Sequence, residues 1–234
     1  MIAQLASRAW ARFKRGRYYS INQLDQQLER LLDFDGGYFV ELGANDGVTQ
    51  SNSLYFERRR GWRGLLVEPV PHNYLKCRQN RADRTAVYCA ACVPFDYDQE
   101  FVRLAYANLM STPLGLDSDL SDPLAHAASG TQFLPKGQTV VEFGAVAKPL
   151  NALLEAAEAP RNIDFLSLDV EGAELDVLRG IDHSRYRFRY ILTESRDMDR
   201  ISLFLSHHGY RFARKLSGQD YLFESVDDNN AGNQ

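Results

Sequence analysis

The chain has 234 residues, of which 44% are apolar and 25% charged, with a formal charge of −4 at pH 7. That length suits one domain of about 200 residues around a single core. The charge gives no whole-chain reason to expect nucleic acid as a partner, and no apolar run approaches the roughly 20 residues that span a bilayer.

The chain opens with an arm, residues 1–33. Arg8, Arg12, Lys14, Arg15 and Arg17 occur there among Leu5, Trp10 and Phe13, with no acid in the first 20 residues. Two roles fit: a basic amphipathic helix on an anionic surface, or a solvated arm whose aromatics pack on the domain or on a second subunit. The second is the expectation, and it makes the arm a candidate homodimer contact. A helix over 22–32 follows, with Leu24, Leu28, Leu31 and Leu32 on one face. No signal-peptide core is present, so the expected compartment is the cytoplasm.

Strands and helices then alternate through the main domain, 34–225. Residues 38–42 are strand-like; Ser51 and Asn52 announce a helix that ends at Gly61. A strand over 64–67, a helix over 71–79 with proline near its start, and a strand over 86–90 follow. Residues 94–144 break the rhythm. They are rich in Asp, Ser, Gly and Pro, contain Asn108, His126 and Gln132, and read as an irregular insertion covering the substrate. A helix with Leu150, Leu153 and Leu154 inward resumes the pattern. After it come a strand over 163–168, a helix near 173–178, a strand over 190–193, a helix over 201–208 stopped by Gly209, and a hairpin around 217–219. The tail, 226–234, reads as disordered. Such alternation predicts an α/β fold: a mainly parallel sheet, helices on both faces, and an antiparallel strand from the hairpin at or near one edge. Cys77, Cys89 and Cys92 read as small buried fillers, since no second pair builds a zinc site.

Residues 38–47, YFVELGANDG, join a strand to a glycine turn, and the apolar run 65–67 ends at Glu68. A strand tipped with a carboxylate beside such a turn holds a nucleoside by its ribose. Dinucleotide sites need three glycines; here Gly43 and Gly47 remain and Asn45 stands in the middle. Glu41 and Asp46 would repel a pyrophosphate and favour an ammonium. A nicotinamide is therefore disfavoured and S-adenosylmethionine fits.

Four blocks in order, residues 41–47, 51–53, 61–69 and 169–174 (DVEGAE), resemble the FkbM family of S-adenosylmethionine-dependent methyltransferases. The likeness runs over about 34–223, takes in LDVLRG at 175–180 and HGY at 208–210, and is faintest in 94–144. Phe188 departs from it, where relatives tend to carry proline. The resemblance implies a class I methyltransferase (Rossmann-like) fold with a seven-stranded sheet, and O-methylation of sugars or other hydroxylated small molecules. It places Glu41, Gly43 and Asn45 on the methionine side of the cofactor with Asp46, Gly47 and Asn52 close by. Glu68 falls on the ribose, Pro69, Ala90 and Ala91 near the adenine, and Asp169 near the sulfonium.

The sulfonium methyl is already electrophilic, so the protein must align a nucleophile and accept its proton. Asp169 and Glu171 are the candidates for proton acceptor or substrate anchor, supported by Glu194; Glu174 is read more readily as complementing the following helix. His126 is the one histidine to test as a base, while His72, His183, His207 and His208 are expected to face solvent. The acidic cluster could also hold magnesium, which the spacing does not decide. N-methylation of an amine or peptide, and a non-catalytic cofactor-binding partner subunit, are the alternatives.

Overall fold

The protein is described by a computed structural model over residues 18–226; the basic arm's cations and the tail from 227 onward lie outside the described residues. The elements are α1 (Leu24–Glu29), β1 (Tyr38–Leu42), α2 (Leu54–Arg60), β2 (Arg63–Val67), α3 (Pro71–Asn80), β3 (Thr85–Tyr88), β4 (Ala91–Cys92), β5 (Phe101–Tyr106), β6 (Thr112–Leu114) and α4 (Pro123–Ser129). They continue with β7 (Val141–Lys148), α5 (Leu150–Ala156), β8 (Asn162–Leu168), α6 (Glu174–Arg179), β9 (Arg187–Glu194), α7 (Met198–His207), β10 (Tyr210–Lys215) and β11 (Asp220–Ser225).

Seven strands form the main sheet in the order β10-β11-β9-β8-β1-β2-β3. β1, β2, β3, β8 and β9 are mutually parallel, and β11 runs antiparallel to both β9 and β10. This is the order of the class I methyltransferase fold, with the antiparallel strand second from the edge. One apolar cluster, including Val40, Leu42, Leu154, Leu166 and Phe188, packs one face of the sheet. The other face holds Phe39, Phe56, Trp62, Leu66 and Phe165. Two-sided burial explains why the parallel strands read as continuous apolar runs. The chain order reverses between β1 and β8, so the carboxyl ends of those strands open onto a crevice.

Three expectations need correction. Residues 94–144 are not irregular: β5 pairs with β6 and β7, and β4 joins β7, in a second sheet of four strands ordered β4-β7-β5-β6. The alternation of β5 (buried Val102 and Leu104 against exposed Phe101 and Arg103) is legible on inspection, but its main partner lies about 40 residues on, from Phe101↔Val146 to Tyr106↔Val141. The polar stretch between them hid the pairing. The third strand stops at Tyr88, and Ala91 and Cys92 leave the main sheet to pair with Ala147 and Lys148. The first helix is shorter than expected because Asn22 and Gln23 are left-handed, at φ 54° and 58°. Among the described residues no helix is long and apolar enough to cross a membrane.

Candidate active site

Glu41, the penultimate residue of β1, is buried and lines the cleft described below. Its carboxylate accepts from the Ser51 hydroxyl (2.9 Å), the Asn52 amide N–H (2.7 Å), the Ser53 hydroxyl (2.5 Å) and Arg81 Nη1 (3.4 Å). Glu41 therefore organises the 51–53 turn rather than offering a free carboxylate to a ligand. The turn in turn orients Asn52, whose Nδ2 donates to Ser167 Oγ at 3.0 Å. Asn52 Oδ1 is left buried with no partner among the described residues. A buried acceptor without a donor costs about 1–3 kcal/mol, so this oxygen is poised for a donor on a ligand.

Glu68, at the end of β2, is also buried. Its Oε2 accepts from Asn45 N at 2.8 Å and its Oε1 from Val70 N at 2.9 Å. Each oxygen keeps a further lone pair, the arrangement needed to receive two vicinal hydroxyls. Gly43 must be glycine: its φ is +74°, and a Cβ there would lie 1.8 Å from the Asp169 carbonyl oxygen. The glycine turn is thus pressed directly against the turn after β8.

These elements wall a cleft of about 940 Å³ that includes Gly43, Asn45, Asn52, Glu68, Pro69, Ala90, Ala91 and Asp169. Asp46 and Gly47 do not line it. Asp46 closes its own turn, accepting from the Val48 and Thr49 N–H groups and the Thr49 hydroxyl, and Gly47 packs on Cys77 and Arg81. The second sheet contributes Leu104, and the segments that follow β5 and β6 contribute Asn108 and Leu116, to the wall. Asn108, left-handed at φ 56°, accepts from Asn45 Nδ2 at 3.2 Å, linking the insertion to the glycine turn.

A second cavity of about 1000 Å³, open to solvent, adjoins the first. It is bounded by Ile21, Asn22, Met110, Phe133, the 217–219 turn, Glu194 and Asp220. Gln50, Leu109, Asp169 and Glu171 border both cavities. At this junction the DVEGAE turn gathers its acids. Burial, then the nearby Glu194 and Glu171, hold the Asp169 carboxyl well above the usual carboxylate range, and among the described residues no hydrogen bond opposes them. Burial, then Glu171 and Asp220, push Glu194 up to about 7. Glu171, itself left-handed at φ 55°, takes a 2.6 Å hydrogen bond with His126 Nε2. Glu174 faces inward and accepts from the Val170 and Gly172 N–H groups at 3.0 and 3.2 Å, so it holds the turn together.

His126 lines neither cavity; from α4 its Nε2 meets Glu171 at 2.6 Å and so backs the junction. His183 does not face solvent as expected. It stacks on His208 at 4.4 Å, and burial lowers it to about 4. Among the described residues no three His, Cys, Asp or Glu side chains converge as a metal-ligand set. Sequence reasoning missed Gln50, Asp220, the 217–219 turn and Asp119. The Asp119 carboxylate accepts from Ser195 Oγ (3.0 Å) and Arg196 N (2.6 Å), tying the insertion to the β9–α7 turn. A single acid in a polar stretch carries no sequence signal for such a role.

These buried acids set a pH dependence. Burial pushes Glu68 and Glu174 up to about 8 and Glu194 to about 7. Raised carboxyls bind protons more firmly in the folded chain than in the unfolded one. The stability they contribute is complete below the ordinary carboxylate range and is lost as pH rises through the raised values. The ligand-free protein is expected to melt at falling temperature from about pH 5 to about pH 8 in thermal scans, with a shallower fall in Glu68→Gln. A flat or rising profile would contradict the assignment.

The strand order, the glycine turn under a carboxylate-tipped strand, and the acid-lined junction define a class I methyltransferase that uses S-adenosylmethionine. Residues 41–212 match the methyltransferase FkbM domain, and the chain belongs to that family. No curated protein matches it in sequence. Among solved structures it is similar to the human methyltransferase 10 domain containing protein (11% identity, TM-score 0.45, covering 88% of this chain and 83% of that one). It is also similar to precorrin-6y C5,15-methyltransferase from Geobacter metallireducens (14%, 0.42, 86% and 85%). A methyltransferase from Geobacter sulfurreducens is a third (16%, 0.41, 94% and 87%). The residues present fit the cofactor: an orphan buried acceptor at Asn52, paired lone pairs at Glu68, and a turn bare of side chain at Gly43.

Proposed function

We propose that the protein methylates a hydroxyl group of a saccharide or other hydroxylated small molecule held in the second cavity. The observation that carries this reading is the junction itself, where Asp169 and Glu171 border both the cofactor cleft and the second cavity. S-adenosylmethionine supplies an electrophilic methyl group and leaves as S-adenosylhomocysteine. Glu68 would receive the ribose hydroxyls, Asn52 Oδ1 the ammonium, and Pro69, Ala90 and Ala91 would border the adenine.

Asp169 accepts the acceptor's hydroxyl proton as the new carbon–oxygen bond forms. A carboxyl whose proton affinity is raised above the ordinary carboxylate range is suited to that task, and among the described residues Asp169 has no hydrogen bond to lower it. Glu171, oriented by His126, anchors the hydroxyl. An amine would need no such base, which favours oxygen over nitrogen as the target. A polyphosphate acceptor is disfavoured, because the second cavity presents carboxyls and, among the described residues, no Lys or Arg along its wall. Residues 94–144 act as the substrate cover. The free thiols of Cys77, Cys89 and Cys92 suit a reducing, cytoplasmic setting.

Incubation with methyl-labelled cofactor and a panel of sugars and cyclitols tests this. The expected product carries the label as a methoxy carbon, with one S-adenosylhomocysteine released per methyl. Label found only on nitrogen, or no transfer to any hydroxyl, would sink it.

A further inference from the structure

The second cavity carries more negative charge than methyl transfer to a neutral alcohol requires. Asp169 and Glu171 are accounted for at the junction. Glu194 and Asp220 are not: they line the second cavity alone and have no place in the wall of the cofactor cleft. They are also direct cross-strand partners, Asp220 on β11 opposite Glu194 on β9. Like charges directly opposed in an antiparallel pair are destabilising. Nothing in the sheet offsets the pairing fully. Arg196 Nη2 stands 3.8 Å from Glu194 Oε1 but is shared with Glu171 at 3.8 Å and, through Nη1, with Asp119 at 3.7 Å. Among the described residues the Asp220 side chain receives the Ser217 hydroxyl and no cation. Burial raises both carboxyls above their ordinary range, and the Glu171 and Asp220 carboxyls push Glu194 up further.

We propose that the second cavity takes an acceptor bearing a protonated amine, such as an amino sugar or aminocyclitol, whose ammonium sits between Glu194 and Asp220 while a neighbouring hydroxyl faces Asp169. An ammonium there replaces repulsion between two carboxylates with two charge-assisted hydrogen bonds. Asn22, Gln50 and Gln219 supply neutral donors and acceptors for the remaining hydroxyls. The inference rests on the reading of this cavity as the acceptor site. It adds which hydroxylated compounds enter.

The test uses the full chain loaded with S-adenosylhomocysteine, titrated with matched probes: D-glucosamine and 2-deoxystreptamine, D-glucose and myo-inositol, and D-glucuronate. The amines are expected to bind at least about tenfold more tightly than their neutral counterparts, a difference of about 1.4 kcal/mol, with glucuronate weakest. Asp220→Asn should abolish that preference while keeping S-adenosylhomocysteine affinity within about threefold. Without acceptor, Asp220→Asn should also raise the melting temperature by a few degrees, roughly the shift expected for relieving one repulsive pair. A neutral or anionic probe binding as tightly as the amines, no binding of either amine, or an Asp220→Asn variant no more stable than the parent would each overturn the proposal. Stabilisation by magnesium alone, abolished in Asp220→Asn, would overturn it in favour of a metal. Failure of S-adenosylhomocysteine to bind would instead strike the methyltransferase reading. Methoxy products formed without amine preference would leave that reading intact and remove only this one.

Discussion

Asp169→Asn is expected to lower kcat by about 10²- to 10⁴-fold, the usual contribution of a positioned general base. The substitution keeps the shape of the side chain and removes its ability to take a proton. S-adenosylhomocysteine affinity should stay within about threefold, well under 1 kcal/mol, because the cleft contacts at Glu68 and Asn52 are untouched. Since Asp169 is held up by burial and by the carboxyls around it, kcat of the parent should rise with pH as that carboxyl ionises, and the rise should vanish in the variant. A variant that keeps turnover within tenfold, or loses cofactor affinity in step with rate, would move the proton acceptor elsewhere. Glu171 would then be the next candidate, since it borders both cavities and is held at 2.6 Å by His126.

Glu68→Ala is expected to weaken S-adenosylhomocysteine binding about 100-fold, equivalent to about 2.7 kcal/mol. Two hydrogen bonds to the carboxyl are lost, each worth about 0.5–1.5 kcal/mol. The loss is also indirect. The Asn45 and Val70 N–H groups that Glu68 holds at 2.8 and 2.9 Å are released, so the glycine turn loses its anchor. Glu68→Gln keeps one acceptor and should fall between. Isothermal titration separates the cases: a constant within threefold of the parent in Glu68→Ala would remove Glu68 from the ribose. A circular dichroism melt alongside shows whether the turn itself has failed.

The two predictions draw on different kinds of information. The place of Glu68 in the wall of the cofactor cleft was legible in the chain, because a carboxylate ending an apolar run beside a glycine turn falls at the carboxyl end of a parallel strand. The DVEGAE acids were legible as a group, but their division of labour was not. Glu174 points back into its own turn, Glu171 is claimed by a histidine 45 residues earlier, and the Asp169 side chain has no hydrogen-bond partner among the described residues. Glu41 lines the cleft as its position suggested, yet three short bonds to the 51–53 turn also make it the organiser of that turn, which sets Asn52 beside it. Local sequence cannot report such bonds, because the donors arrive from other elements.

Periodicity, turn residues and the ordered blocks by themselves determined the parallel sheet, its helices and the cofactor, since these depend on apolar spacing and on glycine at positions where backbone meets backbone. The tertiary structure decided the acceptor side. The second sheet forms through strands about 40 residues apart. The second cavity is assembled from the 21–22 turn, the insertion, the ends of β8 and β9, and the final hairpin. Its charge arises because antiparallel pairing sets Asp220 opposite Glu194. Long-range register of that kind leaves no local pattern in the chain, because each residue's neighbours are chosen by the fold rather than by the sequence beside it.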